Sequence, residues 1–212
     1  MSDLYNENRT GSANTEISYT ETSTADKEKY FQEFREFDYG LDITDNIIII
    51  QDVIQTGQLF DFISKVRLLK KINSKLKTIT LLLNSGGGDV VETLGLIDYI
   101  RNLRDSEDIK VNIVCRGMAM SAAAMLLSAG TGVRVASKHS KIMVHQLSSF
   151  AGGKLGDLKS NAKFAEQLED DCNLIMEQCT NKDKSWWKDT QQNDYFLSAQ
   201  QALELGILDK II

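Results

Sequence analysis

The stretch Val111-Asn-Ile-Val-Cys-Arg-Gly-Met-Ala-Met-Ser121-Ala-Ala-Ala-Met-Leu-Leu127 joins an apolar strand pattern to an apolar helix pattern through a single serine. A serine at such a junction presents its hydroxyl outside the sheet, while the first N–H groups of the following helix have no carbonyl partner within that helix. Unpaired N–H groups beside a hydroxyl can stabilise the oxyanion that forms when the hydroxyl attacks a carbonyl. Ser121 is therefore a candidate nucleophile.

A nucleophilic serine needs a general base, and the chain contains only two histidines. His145 ends the apolar run 141–145, which is typical of a strand, whereas His139 lies in a polar turn. Because a strand end holds a base in one orientation better than a mobile turn does, His145 is the favoured base. A third, acidic group should orient the imidazole, and the 30 acidic residues leave that choice open on spacing alone.

A glycine-rich turn follows the apolar run Ile79–Asn84, which predicts a buried strand. The turn reads Ser85-Gly-Gly-Gly88-Asp89 and leads into a helix pattern whose predicted apolar face carries Val91, Leu94, Ile97 and Ile100. Glycines at such a turn allow positive φ and close backbone approach, which suits an oxyanion hole, a phosphate cradle or a plain tight turn. Phosphate binding is the weaker interpretation, because neither a P-loop ending nor a dinucleotide fingerprint is present.

Strand and helix patterns alternate along most of the chain. Strands are predicted at 46–51, 78–83, 110–115, 132–136 and 141–145, and helices at about 57–70, 89–103, 121–129 and 157–180. In the first helix we expect Leu59, Phe60, Ile63 and Val66 to face the core. This order, with nearly continuous apolar strands, predicts an α/β fold with a mainly parallel sheet covered by helices.

Composition is consistent with one domain in the cytoplasm. The chain has 212 residues, of which 42% are hydrophobic, and a net charge of −6 with no concentrated basic stripe, which argues against nucleic acid as a partner. Residues 1–29 are polar and predict a disordered tail or removable leader, leaving residues 30–212 as the folded domain. No apolar run has transmembrane length and no signal-peptide pattern opens the chain, so we expect no membrane association.

The cysteines give no metal motif. Cys115, Cys172 and Cys179 form an odd set without a Cys-x-x-Cys pair, and Cys115 falls within a predicted strand. Such cysteines are more often buried free thiols than ligands, so we expect no metal site.

Four sequence blocks, taken together and in order, resemble the proteolytic subunit of Clp-type proteases, the ClpP-like serine peptidases with a crotonase-like fold. The blocks are Leu83-Asn-Ser-Gly-Gly-Gly88, Gly117-Met-Ala-Met-Ser-Ala122, Ile142-Met-Val-His-Gln146 and Asp194-Tyr-Phe-Leu-Ser-Ala199. The segment 202–209 is also similar to the closing segment of that family. The resemblance extends over roughly Asn46 to Ile212, and four ordered blocks are more specific than any single motif.

The resemblance assigns roles residue by residue. It implies that Ser121 is the nucleophile, His145 the general base and Asp194 the acid that orients the histidine. It also implies that the backbone N–H groups of Gly88 and Ala122 form the oxyanion hole. Asp194 rests on the resemblance alone, since composition would have favoured Asp189 equally.

The chain departs from the family pattern at two prolines. Gly86 stands where the family commonly has proline in the glycine turn, and Leu147 stands where it commonly has proline after His-Gln. Without proline, φ is free and an additional N–H is present, so both loops are less constrained before substrate arrives.

The resemblance also implies an assembly and partners. It implies repeated β-β-α or β-α units and a projecting handle at about 147–180 that joins two stacked heptameric rings into a tetradecamer. Unfolded polypeptides would be the substrates of this endopeptidase, an ATP-driven AAA+ unfoldase would be the partner, and the peptidase itself would need no cofactor. The usual pore-loop sequence is not found in the N-terminal region.

Three other functions remain open from the sequence. A phage capsid-maturation (prohead) protease with Clp-like chemistry would suit the proline-free loops and the unusual tail. An acyl-CoA hydratase-type enzyme of the same fold would not need the Ser-His pair. A non-catalytic ring subunit is the third alternative, although all three triad positions are filled here.

Overall fold

A computed structural model describes residues 39–148 and 152–212. The predicted tail at 1–29, and the first residues of the predicted domain, lie outside the described residues. The elements in chain order are β1 (Leu41–Asp42), β2 (Ile47–Ile54), α1 (Gln58–Ile72), β3 (Thr78–Gly88), α2 (Val90–Glu107), β4 (Lys110–Met120), α3 (Ala122–Ser128), β5 (Arg134–Ala136), β6 (Lys141–Val144), α4 (Leu155–Cys179), α5 (Lys184–Thr190), β7 (Tyr195–Ser198), α6 (Ala199–Glu204) and β8 (Lys210–Ile211).

The sheet is mainly parallel, as the sequence predicts. Its order is β1-β2-β3-β4-β5-β8, and β6 pairs with both β4 and β7. Among the strand pairs of the described residues, only β1–β2 and β6–β7 are antiparallel. The prediction of an α/β fold with helices covering a mainly parallel sheet is therefore confirmed.

Strands β3 and β4 are longer than predicted and end at the glycine turn and at the candidate nucleophile. The first part of β4 pairs with β5, whereas its last residues, Met118 to Met120, pair with β6. The sheet therefore changes neighbours halfway along β4. This change brings β6, which is directly followed by the candidate base His145, beside the end of β4, which is directly followed by Ser121.

The core lies on one face of the central strands. In β3 the residues Ile79, Leu81 and Leu83 are buried and alternate with less buried neighbours, and β4 shows the same alternation. This period of two places one set of side chains against the covering helices. Two residues expected to face the core do not, and both predictions are wrong: Phe60 is 72% exposed and Val91 is 54% exposed.

Helical geometry explains both errors. The buried stripe of α1 consists of Phe62, Val66 and Leu69, which are spaced by four and three residues. Phe60 lies two positions before Phe62 and therefore points to the opposite side of the helix. Val91 precedes Thr93 in the same way, and the buried stripe of α2 runs from Thr93 through Leu96, Ile97, Ile100 and Leu103.

Arg134, the first residue of β5, connects several chain segments through its hydrogen bonds. Its Nη1 group donates hydrogen bonds to the carbonyl oxygens of Ser128 (3.1 Å), Cys179 (2.8 Å) and Gly206 (2.7 Å). Its other nitrogens bind the carboxylate of Asp209 at 3.0 and 2.5 Å. The contacts at Ser128 and Cys179 satisfy carbonyls at the ends of α3 and α4 that have no partner within those helices.

Helix α4 is anchored only at its C-terminal half. Asn173, Ile175 and Met176 are its buried residues. Near its start, Leu155 is 69% exposed and Phe164 is 53% exposed. The long helix predicted at 157–180 therefore exists, and its first half stands away from the core. Within the described residues, no helix is both long and apolar enough to cross a membrane.

Candidate active site

Ser121 lies at a sharp turn between β4 and α3. Its backbone has φ 55° and ψ −127°, a region that residues with a side chain rarely adopt. The turn is held on both sides, because the Ser121 N–H donates to the Met143 carbonyl at 2.7 Å and the Ser121 carbonyl accepts from Ala124 N–H at 2.9 Å. A strained residue that its surroundings hold in place is a common feature of catalytic sites.

The register between β4 and β6 brings His145 to Ser121. Met120, the last residue of β4, pairs with Met143 of the parallel strand β6, so Ser121 and His145 both lie just beyond the paired ends of these strands. His145 Nε2 lies 2.8 Å from Ser121 Oγ, which is hydrogen-bond distance. The structure therefore brings together the serine and the histidine that the sequence favours. The other histidine, His139, is exposed on the turn between β5 and β6.

Asp194 reaches the same histidine through the antiparallel pair β6–β7. Val144, the last residue of β6, pairs with Tyr195, the first residue of β7, so His145 after β6 lies opposite Asp194 before β7. A hydrogen bond of 2.6 Å from Gln146 N–H to the Gln191 carbonyl fixes the approach to β7. His145 Nδ1 and Asp194 Oδ1 are 3.7 Å apart, and the Asp194 side chain is 58% exposed. The contact is therefore electrostatic, since it is too long for a hydrogen bond.

The glycine turn packs directly against the candidate nucleophile. A Cβ atom added to Gly87 would lie 2.6 Å from the Met120 carbonyl oxygen and 2.8 Å from Ser121 Cβ. A Cβ atom on Gly88, where φ is +146°, would lie 2.0 Å from the Ile54 carbonyl oxygen. Both positions therefore require glycine, because only a residue without a side chain permits this close approach.

Two residues that sequence reasoning did not single out hold the turn and the nucleophile strand. Asn84 Oδ1 accepts a hydrogen bond from Met118 N–H at 3.1 Å, inside the bulge where β4 departs from its register with β3. Ser85 is fully buried, and its Oγ donates to the Asp52 carbonyl at 2.5 Å and accepts from Gly87 N–H at 3.1 Å. The signal was present in the sequence, because a polar Asn-Ser pair directly follows an apolar strand.

A cavity of about 350 Å³ opens beside Ser121 and His145. Gly88 and Ala122, the two predicted oxyanion residues, also line it. Its apolar wall consists mainly of Val90, Met125, Met143, Val144, Leu147, Cys172 and Met176. Such a cavity, apolar with a few polar groups at one side, suits the side chain of a bound peptide.

Cys172 is the thiol nearest to this chemistry, and it is not an activated one. Burial, together with the negative charges of Asp171 and Glu169, raises its pKa to about 11. The thiol is therefore neutral near pH 7 and contributes to the cavity as an apolar group.

A serine hydroxyl 2.8 Å from a histidine, at the end of a parallel strand and beside a glycine turn, is the arrangement of a serine peptidase. The sequence model of the Clp protease family matches residues 32–212, and the chain belongs to this family. Among its relatives are two proteins named ATP-dependent Clp protease proteolytic subunit 1, from Prochlorococcus marinus strain MIT 9312 and from Prochlorococcus marinus subsp. pastoris. Each is 33% identical over 137 residues, which are 64% of this chain and 68% of the relative.

Family membership makes the chain a Clp-type serine peptidase. The geometry brings Ser121, His145 and Asp194 together, and it places Gly88 and Ala122 along the same cavity. The individual catalytic roles of these five residues stay predictions.

Proposed function

We propose that the protein hydrolyses peptide bonds of unfolded polypeptides by a Ser-His-Asp mechanism. The observation that carries the proposal is the 2.8 Å contact between Ser121 Oγ and His145 Nε2 at the edge of a cavity of about 350 Å³. This contact is within the distance over which a histidine can take the serine proton. The cavity gives the substrate side chain a place next to the reacting carbonyl.

The reaction proceeds in two halves. Ser121 Oγ attacks the carbonyl carbon while His145 takes the hydroxyl proton, and the N–H groups of Gly88 and Ala122 stabilise the oxyanion. His145 then gives the proton to the leaving amine, which departs with the C-terminal part of the substrate. Water, deprotonated by the same histidine, hydrolyses the acyl-enzyme and regenerates Ser121. Asp194 stabilises the imidazolium that exists between these steps.

The site needs no metal or organic cofactor for this chemistry. ATP would be used by an AAA+ unfoldase partner that feeds unfolded chains to the peptidase. We further propose that the protein acts in the cytoplasm as stacked heptameric rings, which would keep the active sites inside a chamber. The exposed first half of α4 is the element that would join the two rings.

Labelling with a fluorophosphonate probe tests the catalytic proposal. Peptide mass spectrometry should locate the label on Ser121, and the label should disappear in Ser121→Ala. His139→Ala is the matched control, because this exposed histidine is remote from the serine and its loss should leave labelling intact. Absence of label from the parent protein, with and without an unfoldase, would contradict the proposal and favour a non-catalytic ring subunit.

The proposal that α4 joins the two rings is better tested by point substitutions than by deletion of the helix. The C-terminal half of the helix carries Ile175 and Met176, which are buried in the core, so deletion of the whole helix would disturb the fold. Replacing Leu155, Leu158 and Phe164 with serine changes only partly or largely exposed apolar residues. If these residues join two rings, light scattering should show single rings or smaller species. An unchanged assembly would refute this role.

A further inference from the structure

The wall of the catalytic cavity changes in chemical character along helix α4. Met176, Cys172 and Glu169 all line the cavity. They are spaced by four and three residues, so they lie on one face of the helix. Met176 is buried, whereas Cys172 and Glu169 are half-buried. The cavity is therefore apolar at its buried end and carries a carboxylate towards its open end.

Glu169 is the acidic side chain of this cavity. Apart from His145 and Cys172, whose thiol is neutral, the other lining side chains do not titrate. Among the described residues, no lysine, arginine or histidine forms an ion pair with Glu169, whereas the adjacent Asp170 is paired with Lys184 at 2.6 Å. Within the described part of the chain, Glu169 therefore adds to the cavity wall a carboxylate that has no ion-pair partner.

The negative charge of Glu169 acts on a neighbouring group of the cavity lining, the Cys172 thiol. Glu169 is among the groups that raise the pKa of the Cys172 thiol, after burial and Asp171. Asp171 does not line the cavity, whereas the Glu169 carboxylate does, so the negative charge of Glu169 disfavours an acidic substrate side chain there. By the same electrostatic interaction it favours a cationic one.

We propose that Glu169 is a specificity-determining residue that admits substrate side chains with an apolar stem and a cationic end, namely lysine and arginine, beside linear apolar ones. The stem would pack against the methionine side chains and Cys172, and the charged end would reach the carboxylate. Aspartate and glutamate would be disfavoured at the same substrate position. The inference rests on the proposed function, because the cavity is taken to hold the side chain next to the cleaved bond.

The test compares isosteric substrate residues in an otherwise identical fluorogenic peptide. Lysine is compared with norleucine, and glutamate with glutamine, at the residue that precedes the cleaved bond. In Glu169→Gln we expect the lysine-to-norleucine ratio of kcat/KM to fall by roughly tenfold, as expected for loss of one charge pair at the edge of a protein. The norleucine peptide is the internal reference for this ratio, because its side chain carries no charge for Glu169 to attract. High salt should reduce the same ratio in the parent protein.

Asp171→Asn is the matched control. Asp171 is exposed, belongs to the same helix and carries the same charge near Cys172, but it does not line the cavity. Its loss should leave the lysine-to-norleucine ratio unchanged. A ratio that stays constant in Glu169→Gln, or that falls equally in Asp171→Asn, would overturn the proposal. Glu169→Lys should reverse the preference and favour the glutamate peptide over the glutamine peptide.

Binding measurements separate this inference from the proposed function. The same peptides, labelled with a fluorophore, are titrated against Ser121→Ala with and without Glu169→Gln, and the dissociation constants are measured by anisotropy. A lysine preference that depends on Glu169 in binding would support the inference even if the parent protein cleaved none of the peptides. In that case the catalytic proposal alone would fail. Equal binding of the lysine and norleucine peptides would overturn the inference whatever the activity of the parent protein.

Discussion

Replacing Ser85 with alanine should weaken the glycine turn without touching any reacting group. Ser85 Oγ is buried and connects the Asp52 carbonyl, at 2.5 Å, with Gly87 N–H, at 3.1 Å. The substitution leaves a carbonyl and an N–H group without this partner, and each buried group of this kind costs about 1–3 kcal/mol. For the two groups together we therefore expect the free energy of unfolding to fall by about 2–6 kcal/mol.

The same substitution should lower kcat. Gly87 is held against Ser121, and Gly88, the predicted oxyanion donor, follows it directly. Loss of a complete oxyanion donor lowers kcat by about 10²–10³-fold, so a displaced donor should lower it by about ten- to a hundredfold. The assay is cleavage of a fluorogenic peptide under conditions where urea unfolding shows that the variant is fully folded.

Ser140→Ala is the matched control for this experiment. Ser140 is also buried, and its Oγ donates to the Cys115 carbonyl at 3.2 Å, away from the glycine turn. This variant should lose stability but keep its kcat. If Ser85→Ala were destabilised and yet retained the parent kcat, Ser85 would support only the fold and the reasoning about the oxyanion turn would be refuted.

Three further predictions concern the catalytic roles of His145 and Asp194, the ion pair between Arg134 and Asp209, and Gly86. His145→Ala should lower kcat by about 10⁴-fold, and Asp194→Asn by less, because the acid is largely exposed and 3.7 Å from the imidazole; peptide kinetics would test the order. The hydrogen bond from Arg134 lowers the pKa of Asp209, so the pair stabilises the fold above the ordinary carboxyl value of 3.8 and loses that contribution as the pH falls through the lowered pKa. Urea unfolding between about pH 6 and 2 should therefore show that the free energy of unfolding falls less with decreasing pH in Asp209→Asn than in the parent protein. Gly86→Ala should raise the free energy of unfolding by about 0.4–1 kcal/mol, because its Cβ would meet nothing within 4 Å and its φ is outside the left-handed region; a loss of stability on denaturation would contradict this.

Local patterns were sufficient to predict most of the fold. The apolar strands and the helices that follow them are short-range features, and their order alone predicts a parallel sheet. The two wrong burial predictions, Phe60 and Val91, arose because several apolar residues occur near each helix start. Which of these residues faces the core depends on where the helix begins and on which elements pack against it. Neither can be derived from the spacing of nearby apolar residues.

The residues of the candidate site also differ in whether the sequence alone could identify them. Ser121 and His145 could be selected from the sequence because the chain has few alternatives for each. Asp194 could not be separated from Asp189 on composition, because its position depends on the register between β6 and β7, which are far apart in the chain. The contacts of Asn84 and Ser85 were missed because they cross between strands, and their chemistry appears only when the bulges of β3 and β4 are known.

The three predicted catalytic residues are anchored to different degrees, and this gradation has a mechanistic consequence. Ser121 is followed by α3, whose seven residues are all buried, so the nucleophile is attached to the core. His145 is 24% exposed and Asp194 is 58% exposed. A change at the protein surface therefore displaces the acid before the histidine, and the histidine before the serine. Loss of the Asp194 contact would leave a Ser-His pair with a less well oriented imidazole, so surface contacts near β7 can tune the rate while the nucleophile stays in place.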